Sequence, residues 1–327
     1  MHATYHPLVK LARPDVFHPR VVLASCPALP EGDGDDDGLV AALRHRGLHA
    51  RWLSWDDPET LDADVVILRA TWDYTERLPE FLSWTRSVRN LLNAPEIVEW
   101  NTDKRYLGDL ARLGVPVVPT AFFAVGEEVQ IPAGPGGRLD GEIVVKPAVG
   151  AGSAGALRFS DRVGALAHAV ALQGQGKAVL VQPYDPRIAD GETALVFLGG
   201  EESHAFTKGP LLPPPGQSPA FDPSGTYAEE TLWPADPDEQ VWRVGRLAVW
   251  AVTRLFDIEP EDLLYARVDV IGGRDDPRLL ELELVEPSLG FRQLAADARA
   301  GAEREFALGV ERALQRFGLG PLSHRST

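Results

Sequence analysis

Tyr265-Ala266-Arg267-Val268-Asp269-Val270-Ile271 and, after a Gly-Arg-Asp-Asp turn, Leu279-Leu280-Glu281-Leu282-Glu283-Leu284-Val285 are two β-branched and apolar runs that carry their charges at alternate positions. Alternation in a strand sends every second side chain to the same face, so Arg267 and Asp269 share one face, and Glu281 and Glu283 share another. The short turn between the runs predicts an antiparallel pair over Leu264–Ile271 and Leu279–Val285, which would bring Asp269 beside both glutamates. Three carboxylates on one buried face repel each other. A magnesium ion, with its preference for hard oxygen ligands, would neutralise them. The same alternation also suits an exposed charged face, or ion pairs with Arg267 and Arg292, and periodicity does not choose between these.

Upstream, Glu142–Lys146 and Ala156–Phe159 read as strands joined by Gly150-Ala151-Gly152-Ser153-Ala154-Gly155. Lys146 ends an apolar strand, where an unpaired ammonium is costly and a phosphate is a natural partner. The glycine segment matches the dinucleotide fingerprint G-x-G-x-x-G, but that fingerprint needs a helix after it. Ala156-Leu157-Arg158-Phe159 reads as a strand, so a flexible hairpin whose bare amides approach phosphates fits better. Asn101-Thr102 reads as the cap of a helix running to Leu113, which places Lys104 in its first turn. There the helix dipole disfavours a cation and an anionic ligand would offset the cost. Val181-Gln182-Pro183-Tyr184 ends a strand whose backbone could serve an adenine edge.

The N-terminal part alternates strand and helix. Val21–Ala24 and Val65–Leu68 read as buried strands, and Leu39–Arg46 and Leu78–Leu92 as helices, which together suggest an open parallel sheet. Arg69, Thr71, Trp72, Asp73 and Tyr74 follow the second strand. Ligands bind near such strand ends in open α/β sheets, so these are candidate substrate residues, with Arg69 able to clamp a carboxylate bidentately. A helix is predicted near Arg162–Leu172, a strand at Val179–Gln182, and a strand pair at Ala194–Phe197 and Ser203–Thr207. Lys208 closes that pair, facing a proline-rich loop over 210–223. Helices over Asp238–Phe256 and Ala302–Phe317 complete the chain. Ser288, beside the acidic pair, is a further substrate candidate.

At 327 residues the chain has room for two or three domains, at roughly 100–200 residues each. Its 48 acidic against 32 basic residues, a net charge of −16, argue against a nucleic-acid partner. A single cysteine, Cys26, excludes an intramolecular disulfide and a cysteine-rich zinc cluster. No run reaches the roughly 18 apolar residues of a membrane span. Residues 1–20 read as a loose leader without the apolar core of a signal peptide, and a cytoplasmic location is expected. Asp33-Gly34-Asp35-Asp36-Asp37-Gly38 opens like a calcium-binding EF-hand loop. Position twelve is Arg44 where a glutamate is needed, so a solvated loop is expected. His45 and His49 read as surface residues. Nucleophile-elbow, zinc-protease and Walker motifs are absent from the sequence.

In serial order the pieces are a helix lysine, a strand lysine, a glycine loop, a hinge strand and an acidic strand pair. From about Trp100 to Leu289 this order resembles the ATP-grasp superfamily. Leu68–Tyr74, Trp100–Leu107, Val144–Pro147, Val181–Tyr184, Tyr265–Asp269 and Leu280–Leu289 resemble more closely the branch of the D-cycloserine-forming O-ureido-serine cyclo-ligase. The resemblance implies an α/β and α+β ATP-grasp fold with the nucleotide held between two α+β subdomains. Its expected units are an N-terminal open α/β domain over 1–98, a central subdomain with the glycine lid over 99–181, and a C-terminal subdomain with the metal strands over 182–327. It implies that Lys104 and Lys146 bind ATP phosphates, that Gly150, Gly152 and Ser153 belong to a mobile lid, that Gln182, Pro183 and Tyr184 lie along the adenine, and that Glu192 reaches toward the ribose. Asp269, Glu281 and Glu283 would hold Mg2+. Arg267 would stabilise the transferring phosphoryl group or its acceptor; apart from the resemblance, Lys208 at its strand end facing the proline loop could meet substrate, and it is counted with Arg267 and Lys146 as a candidate catalytic residue. The superfamily pattern E-x-N-x-x-P is replaced here by Glu281-Leu282-Glu283, with Pro287 one residue further on, which leaves Glu281, Glu283 and Glu286 as alternative ligands.

The implied reaction is ATP-dependent activation of a small carboxylate, amino-acid derived, as an acyl phosphate, followed by C–N bond formation with an amine. Cyclisation within one molecule and joining of two are both open. The expected partners are small molecules rather than nucleic acid or membrane, and the expected assembly is a monomer or homodimer. A nucleotide-binding regulatory protein of the same fold, without turnover, is the alternative reading.

Overall fold

The computed structural model describes residues 18–131, 141–217, 220–221 and 230–320. The leader, most of the glycine- and proline-rich stretch after Ile131, and part of the proline-rich loop over 210–223 lie outside the described residues. The first unit runs β1 (Arg20–Ser25), α1 (Leu39–His45), β2 (His49–Ser54), β3 (Val65–Ala70), α2 (Leu78–Thr85) and β4 (Leu91–Leu92). Its strands form a parallel sheet in the order β2-β1-β3-β4. β3 is buried at every position, as its continuous apolar run predicts for a parallel strand covered on both faces.

Two expectations change here. Leu78–Leu92 is not one helix: α2 stops at Thr85, and Leu91 and Leu92 pair with Val66 and Ile67 as the sheet's edge. Polar anchors draw this segment to the sheet, since Arg89 and Asn90 donate to the side chain and backbone of Asp64 at 3.1 and 2.9 Å. β2 is a strand that the apolar pattern does not reveal. It is a half-exposed edge whose His49 and Arg51 face outward.

The connection to the second unit contains α3 (Pro95–Asn101) and α4 (Tyr106–Arg112). The helix expected from Asn101 to Leu113 begins only at Tyr106, after α3 has ended at Asn101, and Lys104 lies in the turn between the two. Asn101 caps nothing. Its buried amide donates to Leu282 O at 2.9 Å and accepts from Leu284 N at 2.7 Å, a use that ends α3 there.

Next come β5 (Ala121–Phe123), β6 (Ile143–Pro147), β7 (Leu157–Phe159), α5 (Arg162–Gly174) and β8 (Val179–Pro183). They build an antiparallel sheet in the order β5-β8-β6-β7 with α5 packed on it. Asp161 caps α5 by accepting from Gly164 N at 2.7 Å.

The last unit contains β9 (Glu192–Leu198), β10 (Glu201–Lys208), β11 (Leu232–Pro234), α6 (Glu239–Phe256), β12 (Tyr265–Ile271), β13 (Arg278–Glu283) and α7 (Ala296–Arg316). Its antiparallel sheet has the order β11-β10-β9-β12-β13. β12 and β13 form the expected antiparallel pair, in a register that sets Arg267 opposite Glu283 and Asp269 opposite Glu281. α7 begins at Ala296 rather than Ala302, because its first turns point to solvent and carry no apolar stripe. Its Phe306, Val310 and Leu314 share a core with Val21, Leu23 and Ile67 of the first sheet, so the chain's last helix covers its first strands. Among the described residues no helix is long and apolar enough to cross a membrane.

Candidate active site

A cavity of about 640 Å³ opens where the three sheets meet. The two antiparallel sheets close it from opposite sides, and the loops after β1, β3 and β13 wall its end. Val144, Ala156, Ile188, Leu212 and Leu280 supply apolar lining. Lys104, Lys146, Lys208 and Arg267 face it together with Glu192, Glu281, Glu283 and Glu286. The tertiary structure therefore gathers the cations and acids that the sequence scatters over nearly two hundred positions.

Lys104 Nζ lies 2.8 Å from Glu281 Oε1 and donates to Gly150 O at 2.7 Å, which ties the glycine segment to β13. Burial opposes the charge on Lys104, but Glu281 holds it above its usual range. Lys146 forms no ion pair among the described residues, and burial lowers its pKa. Lys208 stands opposite Glu192 in the β9–β10 register and reaches it at 3.3 Å. The same ammonium lies 2.7 Å from Asp269. Arg267 binds Asp269 at 2.9 Å and Glu283 at 2.5 Å, and donates to Ser288 O at 3.0 Å.

The acids divide into two kinds. Burial penalises them all, yet Lys104 and Lys146 draw Glu281 down to about 2. Glu283 is pushed up to about 7 by burial and the neighbouring Glu281 and Asp269, with Arg267 opposing. Glu286 is pushed up to about 8, by burial and then by Glu283. Asp269 departs from the expected placement. It is fully buried, its oxygens are taken by Arg267 and Lys208, and it lies beneath the cavity lining rather than on it. Among the described residues, no three acidic, histidine or cysteine side chains converge on a single metal position. Glu281 and Glu283 on the cavity face suit Mg2+, which characteristically takes one or two carboxylates and completes its shell with phosphate oxygens and water.

The glycine segment folds as tight turns, with Gly152, Ser153 and Gly155 at φ of 56, 62 and 74°. It runs into a strand, not a helix, as its sequence predicts. Gly150, Gly152 and Ser153 line the cavity. Of the strand-end linker only Gln182 does, its amide donating to Thr120 Oγ1 at 2.9 Å. Pro183 is exposed, and Tyr184 lies under the Arg158 guanidinium, 3.5 Å from the ring centroid, outside the lining.

The substrate candidates also separate. Trp72, Tyr74 and Ser288 line the cavity. Arg69 does not: its Nε and Nη2 bind Asp36, at 2.8 and 3.1 Å, and Nη2 also donates to Pro287 O at 2.8 Å, while Nη1 is buried with no hydrogen-bond partner among the described residues. Thr71 is fully buried, and Asp73 accepts from the Trp55 indole at 2.8 Å. In exchange, Asp33 and Asp35 reach the cavity from the loop after β1. That loop was expected to be solvated. Its position after a parallel strand was the available signal, the same one that pointed to the residues after β3.

Comparison with known proteins follows the same lines. Residues 21–93 match the model of the D-cycloserine synthetase DcsG N-terminal domain. The cycloserine biosynthesis protein DcsG of Streptomyces lavendulae is 34% identical over 275 residues, which are 79% of this chain and 88% of that protein. The crystal structure of D-cycloserine synthetase DcsG superposes with a TM-score of 0.76 at 30% identity, covering 90% of this chain and 99% of that one. D-alanine–D-alanine ligase from Bacillus anthracis shares the fold alone, with a TM-score of 0.58 at 14% identity over 91% of this chain and 98% of that one.

Proposed function

Since the chain belongs to the D-cycloserine synthetase DcsG family of ATP-grasp ligases, and is thus an ATP-dependent C–N ligase, we propose that it activates a small amino-acid-derived carboxylate as an acyl phosphate and closes it intramolecularly. The observation carrying this reading is that Lys104, Lys146, Lys208 and Arg267 line one cavity together with Glu281, Glu283 and Glu286, cations and carboxylates interleaved on its wall. Such a cavity suits a polyphosphate chain bridged to carboxylates by a divalent cation.

In the first step a substrate carboxylate oxygen attacks the γ-phosphorus of ATP. The bond to the β,γ-bridging oxygen breaks and ADP leaves. In the second, a nitrogen of the same substrate attacks the acyl carbon, phosphate departs with the C–O bond electrons, and the nitrogen loses a proton. Lys104 and Lys146 bind the phosphates, and Arg267 meets the oxygens of the transferring group, where preorganised charge counts most. Glu281 and Glu283 would hold Mg2+, which would supply neutralisation of phosphate charge. Asp269 orients Arg267 and Lys208 from below. Gly150, Gly152 and Ser153 cover the phosphates and keep water from the acyl phosphate. The apolar lining from Val144 to Leu280 takes the adenine, with Gln182 and Glu192 giving polar contacts to the nucleoside.

The test is ADP release with Mg-ATP against pooled amino acids and their O- and N-substituted derivatives. A product lighter than its single substrate by one water establishes cyclisation, and a product joining two molecules overturns it. Thermal stabilisation by Mg-ATP with no ADP from any pool would support the regulatory alternative.

A further inference from the structure

We propose that Asn101 is a positioning residue for the acidic strand β13. Side chains of the connection over 93–106 stand where a neighbouring strand would, and hold Glu281 and Glu283 on the cavity face for the divalent cation, an inference that rests on the reading in which these two glutamates take Mg2+.

β13 is the last strand of its sheet, with β12 on one side only. A strand edge leaves a row of backbone groups without partners, and burying them unpaired is costly. The connection answers them in turn. Leu279 N donates to Pro116 O at 2.8 Å, and Leu279 O accepts from Val118 N at 2.9 Å, an isolated parallel bridge. Further along, side chains take over. Leu282 N donates to Tyr106 Oη at 3.0 Å, Leu282 O accepts from Asn101 Nδ2 at 2.9 Å, Leu284 N donates to Asn101 Oδ1 at 2.7 Å, and Leu284 O accepts from Asn93 Nδ2 at 2.8 Å.

Asn101 is the centre of this series. Its donor and acceptor reach the residues on either side of Glu283, the pattern by which one residue of a parallel neighbour brackets the residue it faces. Leu282 and Leu284 are buried in the core, so alternation turns Glu281 and Glu283 to the cavity. The same connection carries Lys104, whose ammonium meets Glu281 at 2.8 Å and whose backbone N–H donates to Ala148 O at 2.8 Å. Tyr106 packs on Trp100 with ring centroids 5.3 Å apart, and Trp100 packs on Phe256 of α6 at 5.4 Å. One short turn, itself anchored to α6, thus fixes the backbone of β13 through Asn101 and Tyr106 and one of its carboxylates through Lys104. Metal ligands lose affinity when the groups that orient them are removed. Asn101 also lines the cavity, so direct contact with the carboxylate substrate is the competing role.

The experiment follows thermal stabilisation by ATP as Mg2+ is raised, which reads cation binding without turnover, in the wild type and in Asn101→Ala, Tyr106→Phe and Glu283→Gln. Asn101→Ala should raise the half-saturating Mg2+ concentration roughly tenfold and Tyr106→Phe roughly threefold. The Mg2+ dependence of ADP release should shift in parallel, with the KM of the carboxylate substrate unchanged. Tyr106→Phe loses one hydroxyl and keeps the ring, so it decides the matter if Asn101→Ala does not fold. Lower melting temperatures with an unchanged Mg2+ midpoint in both variants would show a merely structural role and overturn the proposal. A raised substrate KM at an unchanged Mg2+ midpoint would make Asn101 a substrate contact instead. An unchanged midpoint in Glu283→Gln, or no Mg2+ dependence in the wild type, would take down the placement of the cation and this inference with it.

Discussion

Lys104 and Glu281 meet at 2.8 Å on the cavity floor, one from the turn between α3 and α4, the other from β13. The same ammonium holds Gly150 O, so one cation links the glycine segment to a candidate metal ligand. Lys104→Ala should therefore weaken Mg-ATP binding by roughly tenfold or more and let the Glu281 carboxyl rise from about 2. Calorimetric titration with Mg-ATP reads the first effect, and unaltered affinity would remove Lys104 from the nucleotide site.

Lys146 faces the cavity without an ion-pair partner among the described residues. A buried ammonium left in that state is stabilised by an anionic ligand. Lys146→Ala should reduce ADP formation by at least roughly a hundredfold and shrink the thermal shift produced by Mg-ATP. Normal turnover in this variant would contradict the assignment.

Arg69 belongs to stability rather than to substrate contact. Its guanidinium is 1% exposed, pairs with Asp36 and lies 5.1 Å from the centroid of the Tyr265 ring. Arg69→Met leaves a buried aspartate without its cation, which costs about 3–5 kcal/mol. The double change Arg69→Met with Asp36→Leu should recover part of that loss. Urea denaturation measures both, and a loss below about 1 kcal/mol would show that Asp36 is reached by water.

Three strongly raised carboxyls, Glu283, Glu286 and the buried Asp36, which burial pushes up to about 7, set a pH dependence. Glu283 and Glu286 bind protons more tightly when folded, at about 7 and about 8 against an ordinary 4.5. Their contribution is complete below 4.5 and is lost as pH rises through the folded values. Glu281 runs the other way: its contribution is complete above 4.5 and is lost as pH falls toward about 2. The melting temperature of the ligand-free protein should therefore decline from pH 5 to pH 8.5. Mg-ATP should flatten that decline, because a bound cation favours the ionised carboxylates. A profile equally steep with and without Mg-ATP would place the cation elsewhere.

Much of this site is legible one residue at a time. The short turn after Ile271 predicts the antiparallel pair β12–β13, and Lys146 on an apolar strand next to a glycine segment does line the cavity. A strand after Gly155 excluded the dinucleotide fold. Errors fall where a side chain's partner lies far along the chain. Asn101 has the composition of a helix cap, but it serves the backbone of Leu282 and Leu284. Arg69 looks like a carboxylate clamp, and the carboxylate it clamps is the protein's own Asp36. Asp73 follows a strand end as a ligand would, yet it answers the Trp55 indole.

Local chemistry, read from sequence, determined most of the element types and the antiparallel pairing of the acidic strands, because propensity, side-chain period and charge are carried by neighbouring residues. Tertiary structure alone decided which acids are free. Asp269, Glu281, Glu283 and Glu286 are the same kind of group in sequence, but Lys208 with Arg267, Lys104, and Arg267 again answer the first three. Only folding, which removes water and sets the distance from each carboxylate to the nearest cation, leaves Glu286 facing the cavity without one.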